Sequence, residues 1–165
     1  MPRRVLVGYD HSEEAAAGLR RGAAIAWSER AELTVVHVVV PPPTWVGIGL
    51  LAVPMFEDVV STAETLVRRA VEELPQDICV RWRLITGAEA SSALWRHRCV
   101  RAALRRALED GDHDLLVLGT GMRPGRVARA LLKRCPGRVL ATPFADPNAP
   151  VVLGGAPLGA PRVVS

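Results

Sequence analysis

The sequence has few of the residues on which metal sites, disulfides and membrane spans depend. It contains three cysteines, Cys79, Cys99 and Cys135, whose wide spacing predicts neither a disulfide framework nor a zinc site. Scattered thiols of this kind are typical of a reducing cytoplasm. The longest apolar stretch, residues 45–55, is about half as long as a membrane-spanning helix. We therefore expect a cytoplasmic protein without a metal site or a membrane segment.

Signals for export and catalysis are lacking as well. After Arg3 and Arg4, the apolar run of residues 5–8 is too short for a secretion signal. None of the motifs S-x-x-K, G-x-S-x-G and H-E-x-x-H occurs in the chain. The first apolar segment also lacks the paired acids of a phosphorylatable receiver domain. We therefore expect no catalytic residues, and an enzyme such as a slow ATPase is the least favoured function because nothing activates a water molecule.

Lysine is almost absent, since Lys133 is the only one, and arginine carries most of the positive charge behind the net charge of +4. Arg98, Arg101 and Arg105 have the spacing of a basic stripe along one helix. Such a stripe would meet nucleic-acid phosphates in a salt-dependent way, but few aromatic residues interleave for base stacking. A solvated helix face is the favoured interpretation, and we do not expect a nucleic-acid partner.

The chain does contain short apolar segments, and segments with helical periodicity lie between them. Strands are predicted at residues 5–8, 33–40, 79–85, 115–118 and 138–142. Helices are predicted between them, at about 12–27, 57–74, 88–108 and 126–134. This order predicts one α/β domain over residues 1–143, an open five-stranded parallel sheet with helices on both faces. Residues 144–165 form a tail rich in proline, glycine and alanine that we expect to be loosely ordered, although residues 151–153 could add a strand.

The strand at residues 79–85 differs from the others because it alternates. Arg81 and Arg83 separate apolar neighbours, which is typical of a sheet edge, whereas the first and fourth strands are continuously apolar. We therefore predict the strand order 3-2-1-4-5. The fifth strand would then be an exposed edge, and the apolar loop at residues 45–55 offers further surface to cover. Both features predict a homodimer.

Three features fall at the carboxyl ends of the predicted strands, where parallel sheets bind ligands. They are Asp10 after the first strand, His37 and Val38 near the end of the second, and residues 119–121 (Gly-Thr-Gly) after the fourth. A glycine-rich turn there lets backbone N–H groups approach a phosphate. Other interpretations stay open: Asp10 can simply start a turn before Ser12, and the glycines can form a tight turn. His37 is favoured as a core histidine over a ligand.

Taken together, residues 5–13 (VLVGYDHSE), 31–38 (AELTVVHV) and 114–120 (DLLVLGT) resemble the universal stress protein family. The order and spacing of these blocks cover most of residues 3–142. The resemblance implies a five-stranded parallel sheet and a common tendency to dimerise. It also implies that an adenine nucleotide such as ATP is a potential ligand, because the family contains members that bind ATP and members that do not.

The resemblance also implies roles for individual residues. In the ATP-binding members, the aspartate matching Asp10 contacts adenine, the valine matching Val38 lines the base pocket, and Leu118 and Gly119 match the start of the phosphate motif. That motif continues as two residues, Gly, nine residues, Gly, and Ser or Thr. Here Met122 stands at the second glycine, and Leu132 with Lys133 replaces the final pair. We therefore predict that ATP binding is weak or absent.

Three functions follow from these observations. The favoured one is a universal-stress-type regulatory protein that acts through a ligand or a partner, with weak or no ATP binding. The first alternative is an adenine-nucleotide binder with a modified phosphate pocket, in which Arg123, Arg126 and Lys133 partly replace the lost contacts. The second alternative is a dimerisation or interaction module without a ligand.

Overall fold

The computed structural model describes residues 3–41, 52–87, 93–144 and 152–153. Strands and helices alternate through most of this chain. The strands are β1 (Arg4–Gly8), β2 (Glu32–Val39), β3 (Val80–Thr86), β4 (Leu115–Thr120), β5 (Val139–Pro143) and β6 (Val152–Leu153). The helices are α1 (Glu13–Glu29), α2 (Ala52–Glu72), α3 (Ala93–Asp110) and α4 (Arg126–Arg134). In these ranges, no helix is long and apolar enough to cross a membrane.

The strands form one sheet in the order β3-β2-β1-β4-β5-β6. The first five are parallel, so the predicted order 3-2-1-4-5 is confirmed. The short β6 adds a sixth strand, which runs antiparallel and pairs with Leu140 and Ala141 of β5. Part of the edge on which the expectation of a dimer rested is therefore covered by the chain itself. The rest of the tail, residues 145–151 and 154–165, lies outside the described residues.

Helix α2 begins at Ala52, several residues before the predicted start near residue 57. Pro54 lies in the first turn of this helix, where the N–H groups have no intrahelical partner, so proline is tolerated there. Residues 45–51 of the predicted apolar loop and residues 88–92 of the predicted third helix lie outside the described residues.

The two faces of the sheet are covered by different helices. On one face, Val67 of α2 and small residues of α1 pack on β1 and β2. On the other face, Leu104 and Leu108 of α3 and Leu131 of α4 pack on β1, β4 and β5. The helices thus bury both faces of the central strands, which explains why these strands are continuously apolar.

Edge strand β3 alternates as predicted. Arg81 and Arg83 are exposed, whereas Trp82 and Leu84 are half-buried. The Nε of Arg81 lies 2.7 Å from a carboxylate oxygen of Glu32 on β2. The solvent-facing side of this strand is therefore charged, which discourages pairing with another sheet edge.

Candidate functional site

A cleft with a volume of about 560 Å³ opens at the carboxyl edge of the sheet. It lies where the strand order changes direction between β1 and β4, the position at which open parallel sheets bind ligands. Its wall is built from the ends of β1, β2 and β4, from residues 96–104 of α3 and from the first turn of α4. Most of this wall is apolar, which suits a ligand with a flat ring.

All four residues predicted to bind a ligand line this cleft: Asp10, Val38, Leu118 and Gly119. They come from three strand ends that are distant in sequence. Val38 and Leu118 supply apolar wall at the ends of β2 and β4, and Asp10 supplies a carboxylate after β1. The folded chain therefore places one acidic and two apolar side chains around the same space.

Asp10 does start a turn, as the alternative interpretation held. Its Oδ1 accepts hydrogen bonds from the backbone N–H of Ser12 at 3.1 Å and from the Ser12 hydroxyl at 2.6 Å. Its Oδ2 accepts no hydrogen bond from the described residues. Because a carboxylate can accept several hydrogen bonds, this exposed side chain can hold the turn with one oxygen and contact a ligand with the other.

Gly119 has a packing role that the sequence did not reveal. It belongs to strand β4, not to a tight turn, and its φ is not positive. A Cβ atom at this position would lie 1.6 Å from the backbone oxygen of Glu14 in the first turn of α1. Gly18 of α1 also approaches the strand closely, since its Cβ would lie 2.5 Å from the N atom of Gly119. Gly119 is therefore required because α1 crosses the end of β4 at close range.

His37 lies in the wall of the cleft and is only half-buried, so its interpretation as a core histidine is wrong. Its Nδ1 lies 2.7 Å from the carbonyl oxygen of Tyr9. A carbonyl only accepts, so Nδ1 carries the proton, and Nε2 is the acceptor of the neutral ring. The ring packs against His11, with centroids 4.5 Å apart.

His11 has a left-handed backbone, with φ of 66°, and its Nε2 is buried without a hydrogen-bond partner among the described residues. Burial lowers the pKa of His11 below its ordinary value of 6.5, and the charge of His37 lowers it further. The neutral form of His11 is therefore favoured beside the cleft.

The end of the cleft where the family motif would bind phosphates is built differently from the prediction. Met122 does not block the cleft, because its side chain is 89% exposed and lies outside the wall. Leu132 is buried in the core below α4, and Lys133 is exposed away from the cleft. The wall here is formed instead by residues 125–128, the start of α4. Gly125 precedes this helix and provides no side-chain cap.

The sequence profile of the universal stress protein family matches residues 1–143. The chain belongs to the universal stress protein family. No curated protein matches the chain. Solved structures that share the fold of this universal stress protein include three with a sequence identity of 20% or less.

The hypothetical protein MJ0577 is 17% identical with a TM-score of 0.63, and the alignment covers 86% of this chain and 95% of that one. The universal stress protein UspA from Lactobacillus plantarum is 18% identical with a TM-score of 0.59, covering 84% and 96%. A universal stress protein in complex with cAMP is 20% identical with a TM-score of 0.58, covering 87% and 98%.

Two polar residues of the cleft in this universal stress protein were missed by the sequence analysis. Arg96 and His97 of α3 line the wall, together with the anticipated Arg126. The signal was the spacing of His97 with Val100 and Leu104, which puts them on one helix face. The predicted basic stripe lies elsewhere: Arg98 stacks over Trp95, with its guanidinium 5.9 Å from the ring centroid.

Proposed function

We propose that this universal stress protein is a regulatory protein that binds a small ligand in the cleft and binds Mg-ATP weakly or not at all. The observation that carries this proposal is the convergence of Asp10, Val38, Leu118 and Gly119 on one cavity at the switch point of the sheet. The three cysteines are unpaired, which agrees with a cytoplasmic location.

The base end of the cleft suits an adenine-type ring. The unoccupied Oδ2 of Asp10 can accept a hydrogen bond from an exocyclic amino group, and Val38 and Leu118 offer apolar surface to the ring faces. A nucleotide is compatible with the family, since the similar universal stress protein mentioned above was solved in complex with cAMP. These points support an adenine-containing ligand.

The other end lacks the groups that the family uses for a triphosphate. Leu132 is a core residue and Lys133 points away from the wall, so the Ser or Thr hydroxyl of the motif has no counterpart there. Each lost hydrogen bond to a charged phosphate costs roughly 1.5–3 kcal/mol of binding. The residue pair that Leu132 and Lys133 replace supplies a backbone donor and a hydroxyl donor in the family motif. Losing both weakens binding by about two to four powers of ten, which is the reason to expect weak binding of Mg-ATP.

Calorimetric titration with adenosine and with Mg-ATP tests this proposal. We expect adenosine to bind and Asp10→Asn to weaken its binding by about tenfold, because the amide replaces one acceptor oxygen by a donor. Asn keeps an oxygen for the Ser12 turn, so the fold is preserved. Glu13→Gln is the matched control, since Glu13 is the neighbouring acid outside the cleft wall.

Two results would contradict the proposal. A dissociation constant for Mg-ATP at or below about 10 μM, lost in Asp10→Asn, would show that the chain is an ordinary ATP binder. Failure of the natural protein to bind adenosine or any nucleotide would favour the interaction module without a ligand.

The homodimer remains a prediction. Met122 and Phe144 are 89% and 44% exposed, and they follow the neighbouring strands β4 and β5. Large apolar side chains at this corner support an interface there. Light scattering at micromolar concentration should give twice the chain mass, and a mass near 17.8 kDa would contradict the dimer.

A further inference from the structure

We infer that Arg96 and Arg126 form an anion subsite in this cleft, which takes the phosphate of a mononucleotide-type ligand without a metal ion. The inference rests on the proposed function, because the base end must first position the ligand. It differs from the phosphate motif implied by the family, in which backbone N–H groups and a hydroxyl bind the phosphates.

The two arginines reach the cleft from different elements. Arg96 lies in the first turn of α3 and Arg126 in the first turn of α4, and both line the wall. Neither makes an ion pair or a hydrogen bond with any residue that the structure describes. Among the described residues, these two cations therefore have no counter-charge beside the cavity that they share.

The charges around the cavity are unevenly distributed. Asp10 is the only carboxylate in the described wall, and it belongs to the base end. At the other end, α4 has no side-chain cap at Gly125 and no acidic residue in its first turn. The positive end of the helix dipole is thus next to Arg126, which is unfavourable until an anion binds there.

The number of cations suits a single phosphate. A phosphate monoester carries a charge of about −1.5 to −2 at neutral pH, which two guanidinium groups balance. A guanidinium also matches two phosphate oxygens with two N–H donors. Mg²⁺ at a nucleotide is held by phosphate oxygens, waters and one or two protein carboxylates, and the only carboxylate in the described wall, Asp10, lies at the base end. No group of three or more His, Cys, Asp or Glu residues in the described part of the chain is arranged to hold a metal ion.

The test compares adenosine with AMP by calorimetry, first in EDTA and then with Mg²⁺. We expect AMP to bind at least about tenfold more tightly than adenosine in EDTA, and Mg²⁺ to add nothing. Arg96→Gln and Arg126→Gln should each weaken AMP binding by about tenfold and leave adenosine binding unchanged. The AMP advantage should also shrink as salt is added, since both side chains are exposed.

Matched control variants exist on the same helices. Arg98→Gln on α3 and Arg129→Gln on α4 remove the same charge outside the cleft wall, and we expect AMP binding to stay unchanged in both. An equal loss of AMP binding in these controls would mean that net charge, not a local subsite, attracts the phosphate, and would overturn the inference.

The remaining outcomes separate this inference from the proposed function. If adenosine binds and AMP binds no more tightly, the anion subsite is wrong while the ligand-binding function stands. If AMP binding needs Mg²⁺, the metal-free subsite is wrong. If neither adenosine nor AMP binds to the natural protein, the proposed function fails and the inference fails with it.

Discussion

Helices α1 and α4 both begin beside the cleft, but their first turns are built differently. The hydroxyl of Ser12 accepts a hydrogen bond from the N–H of Ala15 at 3.1 Å, and Glu13 and Glu14 follow in the first turn of α1. Helix α4 starts after Gly125, which has no side chain to cap it. Only α1, of these two, satisfies its first turn with its own side chains and opposes its dipole with acids.

Packing separates the two helix starts as well. The first turn of α1 touches the end of β4, so a Cβ at Gly119 would overlap the backbone of Glu14. A Cβ at Gly125 would meet no atom within 4 Å. The start of α1 is therefore packed tightly against β4, whereas the residue before α4 borders open space beside the cleft. This difference is why we place the anion at α4 and not at α1.

The largest effect should come from Gly119→Ala. The added methyl group has to push the first turn of α1 away from β4, which should lower the free energy of unfolding by about 3 kcal/mol. Urea unfolding followed by circular dichroism measures this. Gly125→Ala is the matched control, because its backbone is extended, with φ of −65°, and its Cβ is unobstructed.

The control should change the free energy of unfolding by less than about 1 kcal/mol, since the loss of a favourable N-cap residue offsets the lower entropy of the unfolded chain. Equal losses in the two variants would show that the starts of α1 and α4 are packed alike, and would contradict the difference in packing between them.

A smaller effect is expected for Ser12→Ala. This change removes the cap of α1 and the hydroxyl that donates to Asp10, so the free energy of unfolding should fall by about 1 kcal/mol. Ser12→Thr keeps a hydroxyl and should retain most of the stability. Thermal or urea unfolding of the three proteins checks this, and an unchanged Ser12→Ala variant would mean that the cap contributes nothing.

The smallest effect is the pH dependence of stability that His11, just before α1, contributes. Because burial and His37 lower the pKa of His11 below 6.5, the unfolded chain takes up the proton more readily than the folded one. The contribution of His11 to stability is therefore complete above pH 6.5 and is lost as the pH falls below it. Imidazole signals followed by NMR should show His11 titrating below pH 6.5.

His11→Asn should remove this part of the pH dependence, and asparagine tolerates the left-handed backbone at this position. His113 provides a comparison, because burial lowers its pKa in the same direction far from the helix start. A His11 that titrates at or above 6.5 in the folded protein would contradict the lowered pKa of His11 beside the cleft.

Sequence reasoning found the base end of the site better than the other end. Asp10, Val38, Leu118 and Gly119 follow strand ends, and strand ends of a parallel sheet meet at one edge whatever the details of packing. Arg96 was not among the predicted site residues, because its position at the cleft depends on how α3 lies across the sheet. Met122 was expected to place a side chain where backbone N–H groups would reach the phosphates, yet it is exposed and lies outside the cleft wall.

The sequence by itself determined the fold class, the strand order and the edge position of β3. Those features follow from local patterns, since a strand buried on both faces is continuously apolar and an edge strand alternates. Only the tertiary structure decided that Gly119 must be glycine, that β6 covers part of β5, and that Arg96 and Arg126 share a cavity. Each of these depends on contacts between segments far apart in the chain, and the distance of Gly119 from Glu14 exists only once α1 has packed on β4.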